Sequence, residues 1–436
     1  MVLILYKKGL SKRGLVLGVL NKKEINGFLE LQRRGLKLEK RDFDFSDINW
    51  EIIMTLSIIN KSCILVNNVV NDSSSDYNIP ESVLNSWNNR SKLEFMKSAR
   101  QVNRYKQIAL ALRDNGIKGI VIKGYALATL YPDLFQRYSG DLDIKFDKAD
   151  KGKVKKVFTD LGLVQNEEDS KENVYIFYDN TICIEAHFTL WEDYEGQNID
   201  ILRQEKLDDE DTIIPLYISG TTEESFGYTL GITEHLILQM FHVIKHFILE
   251  GIEDRYMMDL SLYINRYYDQ IDFIRFWDVM KRMEFEDYTV IYFSECIKYF
   301  ELDNRALCGR EYHLARDEEA FLGDMLMVGK RSFDDESNFS MLGILSPYVN
   351  GGKKLAVNKT GRILDTLFPS AKDIDAHYSY CKKFKILLPL AWIHRVFRTI
   401  YFKATKGNRV YGAVDKIKGA EYRISMMKNA GMLKDK

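Results

Sequence analysis

The sequence predicts an α+β protein in which a small mixed β-sheet core is flanked by helical N-terminal and C-terminal regions. Short β-branched runs bounded by glycine begin at residue 117, whereas the segments on either side of this part carry apolar residues at helical spacing. A chain of 436 residues also exceeds what one core comfortably supports. We therefore expect a helical region at 1–115, the mixed core at 116–195, a helical domain at 196–330, and a loop-rich and then basic helical region at 331–436.

The composition excludes several classes of protein. With 46% hydrophobic and 29% charged residues the chain is typical of a globular protein, and its net charge of −1 gives no overall attraction to nucleic acids or membranes. The five cysteines form no C-x-x-C pair, which argues against a disulfide framework or a zinc ribbon. The N-terminal apolar stretch covers six residues, and no run approaches the roughly 18 that a membrane span needs. These features favour a cytoplasmic enzyme or binding protein.

The N-terminal region is expected to be helical. The segment FSDINWEIIMTLSIINKSCILVNNVV carries apolar residues at helical spacing after a cap at Ser46 or Asp47. A long helix is predicted from Glu81 to Asn115, where Gly116 provides a natural stop.

The core is predicted from an alternation of strands and helices. IKGIVIKG (117–124) and residues 141–146 have the character of buried strands, and YALATLY between them is expected to form a short helix. A basic-faced helix that ends at Gly162 follows. VYIFY and TICIEAHF then form a predicted hairpin joined at residues 179–180. This order describes a small mixed α/β unit.

Two acids one residue apart occupy the second strand, GDLDIKF. Because strand side chains alternate, Asp141 and Asp143 share one face, and in TICIEAHF Glu185 and His187 share one face in the same way. A turn residue followed by a solvated strand position would explain the two aspartates without any chemistry. However, three carboxylates that converge from nearby strands repel one another unless a cation lies between them. Mg²⁺ prefers such oxygen ligands, and a pair of these ions suits phosphoryl or nucleotidyl transfer.

The turn at Lys123-Gly124 supports the interpretation as a phosphate site. A strand that turns directly into a helix offers backbone N–H groups and a lysine to an anionic ligand. A triphosphate on one side and a metal on the other is the arrangement that a nucleotide-using site requires.

These motifs together resemble a known family. VIKGYALATLYPDLFQRYSGDLDIKF followed by ICIEAHFTLW is similar to the lKGxxLaxxlYpxxxxRxxxDiDi pattern, with a later acid-x-His strand, of uncharacterised bacterial nucleotidyltransferases in the DNA polymerase beta-type superfamily. The resemblance covers residues 45–270 and is most specific in the central motif. Two departures are the Lys-Gly pair, where the superfamily more often has Gly-Gly or Gly-Ser, and a gap of 16 residues between Gly124 and Asp141.

The resemblance implies a polymerase beta-like core and an activity. It implies transfer of a nucleoside monophosphate from an NTP to a hydroxyl or phosphate acceptor, such as a small molecule, a peptide or protein, or RNA. The implied cofactor is a pair of Mg²⁺ ions, with Mn²⁺ as a substitute. Asp141, Asp143 and Glu185 would hold the metals, and Glu185 would help to deprotonate the acceptor.

The resemblance also assigns residues to the phosphates. Lys123 and Gly124 would approach the β and γ phosphates, and Arg137 would neutralise phosphate charge or anchor its loop. Two structural alternatives stay open: Lys123 as a solvated strand end, and Arg137 as a loop cation paired with Asp133. His187 would contact substrate or orient the carboxylate.

Other charged residues have both a structural and a functional interpretation. His242 and His246 have the i, i+4 spacing of a zinc pair, but without a third ligand they are favoured as core or pocket-lining side chains. Arg255 and Asp259 predict a salt bridge along one helix. Residues 381–436 contain 14 Lys or Arg and only 3 Asp or Glu. This basic region is either a packed amphipathic helix or a contact for a polyanion or an anionic membrane surface.

The rival to an enzyme is a protein that binds NTP without catalysis, with a regulatory or toxin–antitoxin role on the same fold. The intact set of three acids weighs against it.

Overall fold

A computed structural model describes residues 21–72, 77–191, 197–217, 227–249, 251–312, 321–326, 385–394 and 413–433. The α-helices in these ranges include α1 Lys22–Gly35, α2 Trp50–Ile59, α3 Cys63–Asp72, α4 Glu81–Asp114, α5 Tyr125–Ala128, α6 Lys151–Asp160, α7 Gln197–Glu205, α8 Ile232–Leu249, α9 Arg255–Tyr267, α10 Phe273–Arg282, α11 Glu286–Phe300 and α12 Ala413–Asn429. No helix among the described residues is long and apolar enough to cross a membrane.

The strands form one mixed sheet, which confirms the predicted α+β class. They are β1 Ile120–Val121, β2 Leu142–Lys145, β3 Val164–Lys171, β4 Val174–Tyr178, β5 Cys183–His187, β6 Ile214–Pro215 and β7 Tyr228–Thr229. Their order is β3-β4-β5-β2-β1-β7-β6. The central strand β2 is parallel to β5 and antiparallel to β1.

The expected hairpin is present, and three strands were not predicted. β4 and β5 pair antiparallel, and the Asp179 side chain between them accepts hydrogen bonds from the backbone of Thr181 and Ile182. β3 was missed because VQNEEDSK is rich in polar residues and lacks the apolar alternation of a half-buried strand. β6 and β7 are two residues long each, and they extend the sheet beyond residue 195.

The N-terminal helices differ from the prediction at one break. The apolar segment after residue 46 forms two helices, α2 and α3, because the chain turns at Lys61, whose φ is +55°. The cap of α2 is Asn49, whose side chain accepts from the N–H groups of Glu51 and Ile52, so neither Ser46 nor Asp47 serves as the cap. The long helix α4 ends before Gly116, as predicted, and Gly116 adopts a φ of +63°.

The buried apolar side chains form two large clusters. Leu142, Ile144 and Ile184 are buried beneath the sheet face opposite the acids, in a cluster that also includes side chains of α4 and α6. A larger cluster joins α1–α3 to α8–α11. A cleft therefore lies between the carboxylate face of the sheet and the helices. The predicted loop-rich region 331–380 lies outside the described residues, as does most of the basic region 381–436.

Candidate active site

The pairing of β2 with β5 brings two acids together. The two strands run parallel, and Asp143 is directly opposite Glu185, while Lys145 is opposite His187. Apolar neighbours on both strands point into the core, so the polar set is forced onto the cleft side. The predicted convergence of these acids on adjacent strands therefore has a structural basis.

Asp143 is the centre of this set. Its side chain is 8% exposed, and its Oδ1 atom lies 3.2 Å from Nζ of Lys123 and accepts a hydrogen bond from Nε2 of His187 at 3.1 Å. The same His187 nitrogen lies 3.5 Å from Oε2 of Glu185. A buried carboxylate is thus held by one cation and one imidazole.

The arrangement is compact enough to hold a metal ion. Asp143, Glu185 and His187 each offer one ligand atom, and these atoms all lie within 4.8 Å of one another. Asp141 contributes no atom to that group but borders the same cleft. Carboxylate oxygens are the donors that hard divalent cations prefer, so this donor set fits such an ion.

The charges within the set change one another's acidity. Burial alone would raise the pKa of Asp143, but Lys123 and the hydrogen bond from His187 lower it below its ordinary value. Asp141 is exposed toward solvent, yet it lies inside the concave cleft. Partial burial there, and then the charges of Asp143 and Glu185, raise its pKa. The cleft therefore crowds negative charge that a bound cation would relieve.

Lys123 and His187 respond in the opposite sense. Burial acts to lower the pKa of Lys123, but Asp143 and then Asp141 raise it, so the ammonium stays charged. Burial also acts to lower the pKa of His187, while its hydrogen bonds to Asp143 and Glu185 raise it.

The turn at Gly124 depends on glycine. Gly124 has a φ of +62°, and a Cβ there would lie 3.1 Å from Oγ of Ser139 and 3.7 Å from the backbone oxygen of Asp141. The turn therefore packs closely on the segment that leads into β2. The helix that follows, α5, has four residues, so it offers less of a helix N-terminus than the sequence suggested.

Arg137 is fixed inside the protein. Its Nε and Nη2 atoms donate to the two carboxylate oxygens of Asp259 at 2.8 and 2.7 Å, and Nη1 donates to Oγ of Ser139. The Tyr131 hydroxyl donates to the same carboxylate at 2.9 Å. This contact favours the loop-anchoring role of Arg137, with Asp259 as its partner in place of Asp133. The predicted helical pair of Arg255 and Asp259 is replaced by an ion pair of Arg255 with Glu253.

Helices α8 and α9 form the other side of the cleft. His242 and His246 both border it, with ring centroids 4.1 Å apart, and the Tyr256 hydroxyl lies 3.3 Å from Nε2 of His242. They are therefore pocket-lining side chains. Burial, and then nearby cations led by Lys123, lower the pKa of His242 well below its ordinary value. The cavity between the two sides measures about 340 Å³.

Several cleft residues were not predicted from the sequence. Lys61, Gln239, Lys245 and Arg255 border the cavity. They lie in helices or helix ends whose composition resembles any amphipathic surface, so no local pattern marks them.

The fold and the site define an α+β protein with an acidic cluster suited to a metal ion. Residues 46–300, more than half of the chain, match a family described as uncharacterised nucleotidyltransferase. The chain belongs to this family. The match confirms the resemblance to the uncharacterised nucleotidyltransferase family, and such a family implies transferase activity with an NTP substrate. Comparison with curated proteins and with solved structures gives no match.

Proposed function

We propose that this protein transfers a nucleoside monophosphate from an NTP to a hydroxyl or phosphate acceptor, with Mg²⁺ or Mn²⁺ bound by Asp141, Asp143 and Glu185. The observation that carries the proposal is the parallel register of β2 and β5, which places Asp143 opposite Glu185 beside the turn at Lys123-Gly124. The family membership supports the reaction class. We also propose that the chain is divided into four regions, with boundaries after residues 115, 195 and 330.

The donor set fits the proposed cations. Three carboxylates of the sheet side, those of Asp141, Asp143 and Glu185, border the cleft. Among the described residues, the ammonium that contacts Asp143 is that of Lys123. When bound, divalent cations would supply positive charge for the phosphate oxygens and for the leaving group. His187 donates to Asp143, so it orients this carboxylate in the structure.

The bonds that form and break in nucleotidyl transfer indicate a role for individual residues. An acceptor oxygen forms a bond to the α-phosphorus, the bond from the α-phosphorus to the oxygen that bridges to the β-phosphate breaks, and pyrophosphate leaves. Glu185 has a side chain that is 33% exposed, so it can reach an acceptor and take its proton. Lys123, whose side chain is 26% exposed, can face a phosphate oxygen while it holds Asp143.

The acceptor is proposed only by class. A small molecule, a peptide or protein, and RNA remain candidates, since the fold does not fix the substrate. The basic region 381–436 would add contact with a polyanion or an anionic membrane surface.

The test is incubation of the protein with Mg²⁺, cell extract and each of ATP, CTP, GTP and UTP labelled at the α-phosphate. We expect label from one NTP to join an acceptor that mass spectrometry identifies, while label at the γ-phosphate leaves as pyrophosphate. Transfer of γ-label to the acceptor would contradict nucleotidyl transfer. Nucleotide binding with no transfer would instead favour the regulatory or toxin–antitoxin alternative.

A further inference from the structure

Three cationic side chains border the cleft from elements outside the sheet. They are Lys61 in the turn between α2 and α3, Lys245 on α8 and Arg255 at the start of α9. Separate elements of the chain thus direct positive charge toward one cavity.

The Glu253 carboxylate pairs with two of these cations, Lys61 and Arg255. Oε1 of Glu253 lies 3.0 Å from Nζ of Lys61, and its Oε2 lies 3.1 Å from Nη2 of Arg255. Glu253 is thus the carboxylate in contact with both cations, while the charges of Asp259 and Asp141 also act on Arg255 and Lys61 respectively. Lys61 is also 38% exposed, so its ammonium can bind a second anion without leaving Glu253.

Two buried N–H groups at this border have no acceptor among the described residues. They are Nε of Arg255, a residue that is 8% exposed, and Nε2 of Gln239, a residue that is 7% exposed. The other Arg255 nitrogens contact the backbone oxygen of Tyr138 and the carboxylate of Glu253. Because a buried donor without an acceptor destabilises a protein, these groups indicate a ligand with acceptor oxygens.

The end of α2 brings Lys61 to this border. Lys61 follows the last turn of α2 with a φ of +55°, a conformation that is common where helices end, and the N–H of Ser62 donates to the backbone oxygen of Ser57 to close the turn. The turn between α2 and α3 thus places Lys61 at the cleft.

We propose that Lys61, Lys245 and Arg255, together with the amide of Gln239, form an oxyanion subsite that binds a phosphate group on the helical side of the cleft. The subsite would serve the proposed nucleotidyl transfer, and only the origin of the bound phosphate rests on that proposed function. The group is either the terminal phosphate of the donor NTP or a phosphate of the acceptor.

The first experiment measures binding of inorganic phosphate to the full chain without nucleotide. We expect Lys61→Gln and Lys245→Gln each to weaken binding about tenfold, the loss of one charge-assisted hydrogen bond, and Lys61→Arg to retain most of it. Lys156→Gln is the control, because Lys156 is a lysine on α6 that is 79% exposed and away from the cleft. Circular dichroism confirms that each variant is folded.

The second experiment adds Mg²⁺ and a saturating concentration of the α,β-methylene analogue of ATP, CTP, GTP or UTP, each in turn. Phosphate that still binds beside the analogue, and depends on Lys61, assigns the subsite to the acceptor. Phosphate that is displaced, with the analogue itself weakened by Lys61→Gln, assigns it to the donor. If Lys61 and Lys245 affect neither ligand, the subsite does not exist. If phosphate binds but none of the four analogues does, the subsite stands and the proposed function fails.

Discussion

At the scale of single residues, Lys123 holds a carboxylate that a divalent cation would also use. Its ammonium lies 3.2 Å from Oδ1 of Asp143. We expect Lys123→Gln to tighten Mn²⁺ binding several-fold without nucleotide, since the cation no longer competes with a charge at contact distance. Titration of free Mn²⁺ by electron paramagnetic resonance measures this affinity. Unchanged or weaker binding, with Lys156→Gln behaving as wild type, would exclude Asp143 as a ligand.

Gly124 is a second residue with a specific requirement. Gly124→Ala would force a side chain into a φ of +62° and within 3.1 Å of Ser139 Oγ. We expect a loss of about 1–2 kcal/mol in the free energy of unfolding, measured by urea denaturation. The matched control is Gly152→Ala on α6, where a Cβ meets nothing within 4 Å, and it should stabilise the protein by up to about 1 kcal/mol. Equal effects at both positions would show that the turn carries no strain.

The proximity of two acids could be predicted because strand alternation is local. Asp143 and Glu185 lie on paired strands, as the period of two predicted, whereas Asp141 lies just before β2, which begins at Leu142. Their roles as metal ligands stay a prediction. The partners of Lys123 and Arg137 could not be predicted, because each is distant in sequence. Arg137 pairs with Asp259, 122 residues away, where the sequence offered the nearby Asp133.

At the scale of elements, the Arg137–Asp259 pair fixes the loop before β2 to helix α9. The two side chains are 5% and 2% exposed. Asp259→Asn would leave a buried guanidinium without its counter-charge, so we expect a loss of about 3–5 kcal/mol in the free energy of unfolding. Urea denaturation measures it.

Asp200→Asn provides the matched control for this pair. Asp200 pairs with Arg203 on α7, where the side chains are 62% and 48% exposed, and its loss should change stability by less than about 1 kcal/mol. If Asp259→Asn were as mild, the buried pair would not anchor the loop.

Elements with strong periodicity were predictable, and short or polar ones were not. α4 was predicted within one residue of its observed end because Gly116 stops it. β3, β6 and β7 are too polar or too short for a local pattern, and they exist because neighbouring strands offer hydrogen bonds. The break between α2 and α3 is likewise imposed by packing, since the apolar pattern runs across it.

At the scale of the whole molecule, His235 links the sheet to helix α8. Its Nε2 donates to the backbone oxygen of Ile122 at 3.1 Å, and burial lowers its pKa to about 4. The folded pKa lies below that of the unfolded chain, so the folded state loses stability as pH falls from about 6.5 toward about 4. Between about pH 7 and about pH 5 this group should remove about 2 kcal/mol.

Urea denaturation at several pH values tests this dependence. His235→Gln keeps a donor for Ile122 but cannot titrate, so its stability should fall less steeply with pH than that of the wild type. Substitution of the exposed His394 by Gln should retain the wild-type slope. A parallel decline in wild type and His235→Gln would mean that His235 is not the titrating group.

The cleft itself belongs to this largest scale. Its sheet side could be predicted from motifs, whereas its helical side depends on how α2, α3, α8 and α9 pack against the core. Lys61 and Gln239 reach the cavity through that packing, and nothing in their local sequence distinguishes them from surface residues.

The most direct test of the proposed mechanism measures the Mg²⁺-dependent release of pyrophosphate from the NTP in the presence of the acceptor. Both substrates are those that the experiment with labelled nucleotides identifies. Asp143→Asn should reduce the rate at least about a hundredfold, because it removes a charge worth several kcal/mol to the metal site. Asp147→Asn is the matched control, since Asp147 is exposed, caps the next turn and can be replaced there by Asn without loss. A wild-type rate in Asp143→Asn would contradict the proposed mechanism.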